Sequence, residues 1–392
     1  MPDTLTPSAV LQKPEPLVLY AYLEPVARLD RFQPAGFPEV GHVIYKAPRK
    51  VGDVENVCIV DSAASMANHL ESICMRGAHD YALVDDLEGM PYLRCVTGNL
   101  SNGQLPLDNR EVVVTSLTEG HRIASTYFLA GTPLMVDGSL EPAPVVSAKA
   151  KGSKRKTNAT VYAKFEQTLI QQFGIILPDS SRAHPPVEKW WDVFSTIFRY
   201  DPNALVHGVL FPQWQIKIPR ALTAHLEAFG ASRVDRSGVK FDRLGQTTSG
   251  QPIFAVDDAT AREIRATFIL DTALLRSFGR SNKDDVLGLT QNQKEFLVAL
   301  ALWKIQRMLQ TPFRFRSGCH LQCVRLTDHE GQDVRIDVDV RRAISAAAFP
   351  ESSVTDIFWP KDELYRAPAE NNSGEKTTEG ELDAAGEEPE GD

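Results

Sequence analysis

The chain has 392 residues, of which 43% are hydrophobic, so it can bury a sizeable core as one large or two ordinary domains. This composition excludes a disordered or fibrous protein. No apolar run reaches the roughly 18 to 20 residues that a membrane-spanning helix needs, and residues 1–30 lack the pattern of a secretory signal. The five cysteines are odd in number and scattered, which favours reduced thiols over a disulfide framework. We therefore expect a soluble, cytoplasmic protein.

The formal net charge of −9 has the wrong sign for attracting phosphates, but it is concentrated at one end of the chain. Residues 367–392 contain nine acidic residues and one lysine, and so carry −8 of the total. Residues 1–366 are close to neutral, which leaves a nucleic-acid partner open. A tail of this composition cannot bury enough apolar surface to offset its ordering entropy. We expect residues 367–392 to be disordered and dispensable for folding.

The hydrophobic pattern predicts strands and helices that interleave along the chain. Asp61 or Ser62 can cap one helix, and Thr290 can cap the longest one. The predicted elements are strands at residues 16–26 and 56–60, a helix at 61–75, strands at 112–117 and 209–218, a helix at 220–230, the longest helix at 291–309, and a hairpin of strands at 319–326 and 334–340. No repeat or regular βα alternation is present, which is typical of an α+β fold.

The helix at residues 61–75 has a polar face opposite its apolar stripe. This face consists of Ser62, Ser65, Asn68, His69 and Ser72. The start of a helix offers unpaired N–H groups and a positive dipole end, which suit a phosphate. A polar face of this kind is also common on helices that simply contact water.

A second candidate is a basic segment at residues 147–158, SAKAKGSKRKTN. It has no hydrophobic period, and we expect an exposed mobile loop. Its cations are Lys149, Lys151, Lys154, Arg155 and Lys156. Basic runs are weak signals, so nucleic-acid contact and an ordinary solvated loop both remain open from this pattern.

Other constellations point away from catalysis and metal binding. Strand alternation places Cys319 and Cys323 on one face, away from His320, and no second pair of zinc ligands lies nearby in sequence. Asp337 and Asp339 are better explained as one solvated strand face. No phosphate-binding P-loop, nucleophile elbow or HExxH motif is present. We expect no catalytic residue, no metal site and no cofactor.

Six segments, in order along the chain, form a distinctive set. They are RFQPAGFPEVGHVIY (residues 31–45), VDSAASMANHLESIC (60–74), HRIAS (121–125), YDPNALVHGVLF (200–211), IPRALTAHLEA (218–228) and LLRSFG (274–279). Together they resemble the RAMP-superfamily backbone subunit (Cas-seven family) of the type I-U, also called I-G, CRISPR Cascade effector complex. His69 stands where the family pattern has arginine.

This resemblance implies a modified RNA-recognition-motif (ferredoxin-like) palm with inserted finger and thumb segments. Residues 1–366 would form a single RAMP-type domain carrying the basic loop, followed by the acidic tail. The chain would bind crRNA, polymerise along it with other copies of itself, and meet target DNA within the complex. Its protein partners would be the other Cascade subunits, a fused RAMP-nuclease subunit and a large subunit, with no membrane involved.

The resemblance also gives the polar and basic residues a common use. A subunit that binds any guide must contact phosphates, sugars and base faces, leaving base edges free. Arg31 could pair with a phosphate, Gln33 with a sugar hydroxyl, and Phe32 could stack beside a base; the alternative places Phe32 in the core. The implied RNA contacts are Arg31, Phe32, Gln33, Ser62, Ser65, Asn68, His69, His121, Arg122, Lys149, Lys151, Lys154, Arg155, Lys156, His207 and Arg220.

Three functions remain open on the sequence. The favoured one is a non-catalytic guide-RNA-binding backbone subunit for antiviral defence. The second is a metal-dependent subunit that cleaves target RNA, as in type III complexes, for which Asp85 or Asp86 would be the candidate residue. The third is a structural homo-oligomer whose RNA affinity is incidental.

Overall fold

The computed structural model describes residues 3–37, 41–50, 53–142, 162–176, 183–234, 258–281, 286–350 and 353–365. The basic loop cations and the acidic tail lie outside the described residues, so the predictions about them stay predictions. Within the described ranges, no helix combines the length and the hydropathy required to cross a membrane.

The strands, in chain order, are β1 (Asp3–Leu5), β2 (Leu17–Pro25), β3 (Gly36–Phe37), β4 (Gly41–His42), β5 (Ile44–Lys50), β6 (Asp53–Asp61), β7 (Met75–Gly77), β8 (Asp80–Leu83), β9 (Tyr92–Thr97), β10 (Glu111–Thr115), β11 (Thr132–Pro133), β12 (Val209–Phe211), β13 (Ile216–Ile218), β14 (Leu222–Phe229), β15 (Ser232–Val234), β16 (Asp258–Thr260), β17 (Glu263–Leu270), β18 (Gly279–Ser281), β19 (Val286–Gly288), β20 (Phe313–Arg316), β21 (Cys319–Asp328), β22 (Val334–Ile336) and β23 (Val354–Phe358).

The helices are α1 (Pro7–Gln12), α2 (Ala63–Ser72), α3 (Thr126–Leu129), α4 (Phe165–Gln172), α5 (Trp190–Tyr200), α6 (Pro202–His207), α7 (Thr272–Ser277), α8 (Gln291–Leu309), α9 (Val340–Ala347) and α10 (Lys361–Leu364). A single-turn 3-10 helix at Arg122–Ala124 also positions residues discussed below.

The main sheet has seven strands in the order β20-β21-β2-β17-β14-β6-β5. Each neighbouring pair is antiparallel. Across the sheet, the four central strands are β21, β2, β17 and β14. Along the chain, these are the fourth, first, third and second of the four. Helix α2 lies between the first and second of them, and α8 between the third and fourth. This is the βαββαβ arrangement of a ferredoxin-like fold, so the predicted α+β class with an RNA-recognition-motif-like palm is confirmed.

The palm forms where local patterns are strongest. Strand β2 alternates buried and partly exposed residues, and its buried side chains join the core. Helix α8 begins at the predicted residue, where the Thr290 hydroxyl accepts from the Gln293 amide and the Gln293 side chain accepts from the Thr290 amide. Twelve of its residues are buried, so α8 is a central core helix rather than a surface one.

The long segment between α2 and β14 is an insertion in the palm. Its strands β9, β10 and β11 form a second sheet with β23, which returns from the end of the described chain. Asp356 on β23 accepts from Arg94 and Arg110, at 2.7 and 2.6 Å, and so ties this sheet together. The hairpin β12-β13 and helices α4 to α6 complete the insertion.

Three predicted elements were wrong. Residues 220–230 were predicted as a helix because they are rich in helix formers, but they form β14, where alternate residues are buried and the pairing with β17 and β6 overrides propensity. The predicted strand at 209–218 is interrupted by a turn in which Gln215 is left-handed, with φ of 52°. The predicted hairpin strand at 334–340 is also wrong, because β22 ends at Ile336 and pairs in parallel with β1. Asp339, predicted on a strand face, instead caps α9 by accepting from the Arg342 amide.

Candidate nucleic-acid interface

The first part of the candidate site lies where β6 ends and α2 begins. The Ser62 hydroxyl accepts from the Ser65 amide at 3.2 Å, which confirms Ser62 as the helix cap. The carboxylate of Asp61, the last residue of β6, accepts from the Ser62 amide at 2.9 Å. The predicted polar residues Ser65, Asn68 and His69 follow on the outer side of α2, with Asn68 exposed. The local geometry therefore fixes the start of α2 against the sheet.

Asp61 is the anchor of a small charged network. Its carboxylate lies 3.0 Å from Nε2 of His69 and 3.0 Å from Nη2 of Arg316, and its side chain is only 2% exposed. Burial alone would raise the pKa of Asp61, but the hydrogen bond from His69 and the charge of Arg316 outweigh it and hold the pKa below its usual value. Because an ionised carboxylate only accepts, Nε2 of His69 carries the hydrogen.

This network is not a catalytic triad, although it contains a serine, a histidine and an aspartate. The Ser65 hydroxyl lies 3.4 Å from Nε2 of His69, the same nitrogen that donates to Asp61. A triad needs the serine and the carboxylate on opposite ring nitrogens, so that one of them can accept the hydroxyl proton. His69 is instead held as a fixed donor.

Strand β20 contributes residues that the sequence analysis missed. Phe313 and Phe315 meet the His69 ring edge-on, with centroids 5.4 and 5.5 Å away. Arg314 and Arg316 alternate with them in the sequence FRFR. Interleaved rings and guanidinium groups are a common pattern in nucleic-acid binding, and this alternation was the available signal.

The predicted RNA contacts at residues 31–33 divide into two kinds. Phe32 is 2% exposed and pairs with Ala259, so its ring lies in the core and the predicted base stacking is replaced by packing. Arg31 has 56% of its side chain exposed and lies 3.4 Å from Asp258. The Gln33 amide donates to the Gly318 carbonyl at 2.9 Å.

Gly318 allows this close approach. Its φ is 75°, and a Cβ there would lie 2.9 Å from Oε1 of Gln33. Nη1 of Arg316 also reaches the Gln33 carbonyl, at 3.5 Å. Gln33 is thus placed beside the Asp61 network, and both belong to one surface.

The second part of the site is a pocket of about 330 Å³, lined by residues 120–122, 207–210 and 217–220. Four sequence-predicted residues meet there although they come from three separate segments: His121, Arg122, His207 and Arg220. Lys217, which the sequence analysis missed, stands on the exposed side of β13 and joins them. Among the described residues that line the pocket, none is acidic.

Arg122 is buried, and its predicted contact with RNA is corrected to a structural one. Its guanidinium donates twice to Glu71, each at 2.7 Å, and Nη1 donates to the Gly208 carbonyl at 3.0 Å. Its φ of 55° is rare for a residue with a side chain. The bonds therefore hold the turn at residues 120–122 against the end of α6 and shape the pocket.

His207 is also buried, at 1% exposure, and it belongs to the pocket lining, so its predicted contact with RNA stays a prediction and would have to be made from within the pocket. Neither ring nitrogen has a hydrogen-bond partner within the part of the chain that the structure describes. Burial, followed by the charges of Lys304, Arg122 and Arg220, holds the pKa of His207 well below its usual value. The ring is neutral.

A buried polar network lies beneath the pocket. Glu71 accepts from the Asn203 amide at 2.6 Å, and the Lys304 ammonium donates to the Asn203 carbonyl oxygen. Burial lowers the pKa of Lys304 and raises the pKa of Asp201 to about 7. Oδ2 of Asp201 accepts from the Ile123 amide at 3.2 Å.

Arg220 connects the two parts of the site. Its side chain lies on the pocket rim and Nη1 donates to the carbonyl of Ala63, the first residue of α2, at 3.3 Å. His121, with 81% of its side chain exposed, bonds to Glu119 at 2.9 Å on the same rim. One surface, the α2–pocket face, thus runs from Gln33 past Arg316 and His69 to Arg220 and the pocket.

The candidate residues of the cleavage alternative have structural partners. Asp85 lies 2.9 Å from Arg76, while Asp86 accepts from Trp303 and Arg341, each at 3.3 Å. Across the described ranges, no three His, Cys, Asp or Glu side chains are grouped as metal ligands.

The fold is that of an α+β protein with an RNA-recognition-motif-like palm, enlarged by a long insertion that carries the pocket. The model of one protein family, described as CRISPR-associated protein GSU0053 (Cas_GSU0053), matches residues 17–233, more than half of the chain. The chain therefore belongs to this family of CRISPR-associated proteins. The match spans β2 to the middle of β15 and includes the start of α2 and the pocket. No curated protein matches the chain.

Proposed function

We propose that the chain is a non-catalytic guide-RNA-binding subunit that polymerises along the crRNA as the backbone of a type I-U/I-G CRISPR effector complex. Membership of a CRISPR-associated family supports a role in CRISPR defence. The observation that carries the finer assignment is the α2–pocket face, on which residues from separate resembling segments meet.

The chemistry of this face suits a backbone rather than a base sequence. Arg31, Lys217 and Arg220 present exposed cations that can pair with phosphates, and the start of α2 adds backbone N–H groups. Gln33 offers an amide to a ribose hydroxyl. Contacts of these kinds fix the position of a strand without reading its sequence, which a subunit serving many guides requires.

The proposal includes the partners that such a filament needs. These are crRNA, further copies of the chain, the other Cascade subunits and a target DNA strand that pairs with the exposed base edges. Cytoplasmic location follows from the same role.

Co-expression of the tagged chain with a CRISPR array and its neighbouring genes tests the proposal. We expect a ribonucleoprotein containing crRNA of defined length, with several copies of the chain per RNA. Electron microscopy should show particles whose length follows the length of the spacer. A chain that purifies alone, without RNA, beside an assembled complex of the other subunits would contradict the proposal.

A second experiment distinguishes an RNA-binding subunit from one that cleaves RNA. The assembled complex is incubated with a complementary RNA and Mg²⁺, and we expect the RNA to remain intact. Cleavage at regular intervals that disappears on Asp85→Ala or Asp86→Ala, with RNA binding retained, would establish the cleavage alternative instead.

A further inference from the structure

The geometry points to the pocket as a binding site for one phosphate group of the bound RNA, held by the exposed Lys217 and Arg220, with His207 in the same pocket lining. This inference rests on the proposed function for the identity of the nucleic acid.

The walls of the pocket are fixed before any ligand arrives. Arg122 donates to Gly208 on one wall and lies 3.3 Å from the Gly120 carbonyl on the other. Gly208 has a φ of 82°, and a Cβ there would lie 2.9 Å from the Ile218 carbonyl. The turn at residues 120–122 therefore cannot separate from Gly208 without breaking a buried hydrogen bond. Preorganisation of this kind favours a small ligand with a definite shape.

The charge of the pocket favours an anion. Arg220 and Lys217 are exposed on β13 and the loop that follows it, and among the described residues Lys217 has no ion-pair partner. Two carboxylates that contact lining residues are already engaged, because Glu119 bonds to His121 and Glu71 bonds to Arg122. The rim therefore has an uncompensated positive charge.

His207 provides the independent observation. A buried imidazole with two unpaired nitrogens loses hydrogen bonds that water would give it, and such groups are rare in folded proteins. His207 lines the pocket, but both ring nitrogens are covered in the structure, so a ligand oxygen seated between Lys217 and Arg220 becomes their partner when the ring turns toward the pocket. A neutral ring can donate to a phosphate oxygen through one nitrogen, so protonation of the ring is not required.

The size of the pocket limits the ligand. About 330 Å³ is at the lower end of the range for small-molecule sites, which suits one phosphate with its adjoining sugar atoms rather than a whole nucleotide stack. We therefore expect the pocket to account for a single phosphate contact.

The main test compares the salt dependence of RNA binding between variants. Fluorescence anisotropy is measured with a short unstructured RNA over a series of salt concentrations. The Lys217→Ala/Arg220→Ala variant should weaken binding at low salt and flatten the slope of log affinity against log salt by about 0.7, the value for one single-strand phosphate. The matched control is Lys13→Ala/Arg335→Ala, which removes the same charge from exposed residues outside the pocket lining. Equal effects in the two variants would overturn the inference.

His207→Phe tests the part that His207 plays in the pocket, because it keeps a ring and removes both nitrogens. Folding is checked by the thermal midpoint, and we expect weaker RNA binding from a folded variant. Unchanged RNA affinity would remove His207 from the site.

A comparison of RNA carrying a 5′-phosphate with RNA carrying a 5′-hydroxyl separates the two sources of phosphate. Equal affinity for the two RNAs assigns an internal phosphodiester to the pocket. A preference for the 5′-phosphate that the Lys217→Ala/Arg220→Ala variant abolishes assigns the terminal phosphate.

Inorganic phosphate distinguishes failure of this inference from failure of the proposed function. If wild-type protein binds no RNA but phosphate raises its thermal midpoint, and raises that of the Lys217→Ala/Arg220→Ala variant less, the pocket is a phosphate site and the RNA-binding role is wrong. If RNA binds normally and both pocket variants match the wild type, the pocket assignment alone is wrong.

Discussion

The most direct physical consequence of the buried network concerns Asp201, whose carboxyl group is wholly buried at the start of α6. Burial raises its pKa from 3.8 to about 7, and the charge of Arg122 offsets only part of this rise. In the unfolded chain the group releases its proton near its ordinary pKa. Between these two values the folded state binds the additional proton, so the contribution of Asp201 to stability falls as pH rises and levels off above about pH 7.

The size of this effect follows from the shift. Each pKa unit corresponds to about 1.4 kcal/mol, so a rise of about three units amounts to roughly 4 kcal/mol over the whole window. Between pH 5 and pH 7 the change should be about 2 kcal/mol, since the group is half-ionised at the upper limit. His207 acts in the opposite direction, because its lowered pKa makes stability rise as pH increases toward its ordinary value. The pH dependence of the stability of the wild-type protein therefore contains the contributions of both Asp201 and His207.

The variant Asp201→Asn isolates the contribution of Asp201 to the pH dependence of stability. It removes the ionisable group and keeps an oxygen that can accept from the Ile123 amide. We expect the stability of the variant relative to wild type to rise by about 2 kcal/mol between pH 5 and pH 7, whatever constant offset the new amide introduces. Urea unfolding followed by tryptophan fluorescence at several pH values measures this difference.

Asp192→Asn, which changes a half-exposed carboxylate on α5, is the matched control and should give no comparable slope. A difference between wild type and Asp201→Asn that stays constant from pH 5 to pH 7 would refute the reasoning. It would mean that Asp201 holds the same charge in the folded and unfolded chains over this range.

Three further predictions concern the same elements. Phe32→Ala should lower the free energy of unfolding by roughly 3 kcal/mol or more because the ring is buried, and a urea midpoint close to wild type would place it outside the core. Arg31→Ala with Gln33→Ala should weaken RNA-dependent filament formation while changing stability little, as seen by electron microscopy beside a thermal scan; loss of the fold would make these residues structural. Glu71→Gln should destabilise the protein by about 3–5 kcal/mol because it leaves the Arg122 charge unpaired in the interior, and a smaller loss in urea unfolding would mean that water reaches the guanidinium.

The parts of the fold that sequence predicted are those that local physics determines. Strand β2 and helices α2 and α8 have clear periodicity and caps, and their predicted bounds lie within a few residues of the observed ones. Strand β14 was missed because its residues favour a helix locally, while its neighbours in the sheet are distant in sequence. Pairing between remote strands is not visible in a window of ten residues.

The candidate site, like the fold, was predicted from the sequence only in part. Arg220, His207 and His121 come from three of the resembling segments, and the structure places them in the lining of one pocket. The segments did not show which side chains point inward. Arg122 is buried because Glu71, from a helix far away in sequence, provides its partner, and no local pattern encodes that pair. Lys217 was missed because a single lysine on a short strand has no motif.

The buried network bears on the phosphate site that we propose. It joins Glu71 on α2, Arg122 on the insertion, Asn203 on α6 and Lys304 on α8 by consecutive hydrogen bonds. Burying such charges costs free energy that apolar residues of similar volume would not, so stability alone does not explain them. What they add is a fixed relation between the palm helices and the pocket walls. If the chain is repeated along one RNA, as we propose, its phosphate contacts must lie at the same distance from the palm in every copy. A polar network that joins the two elements would fix that distance.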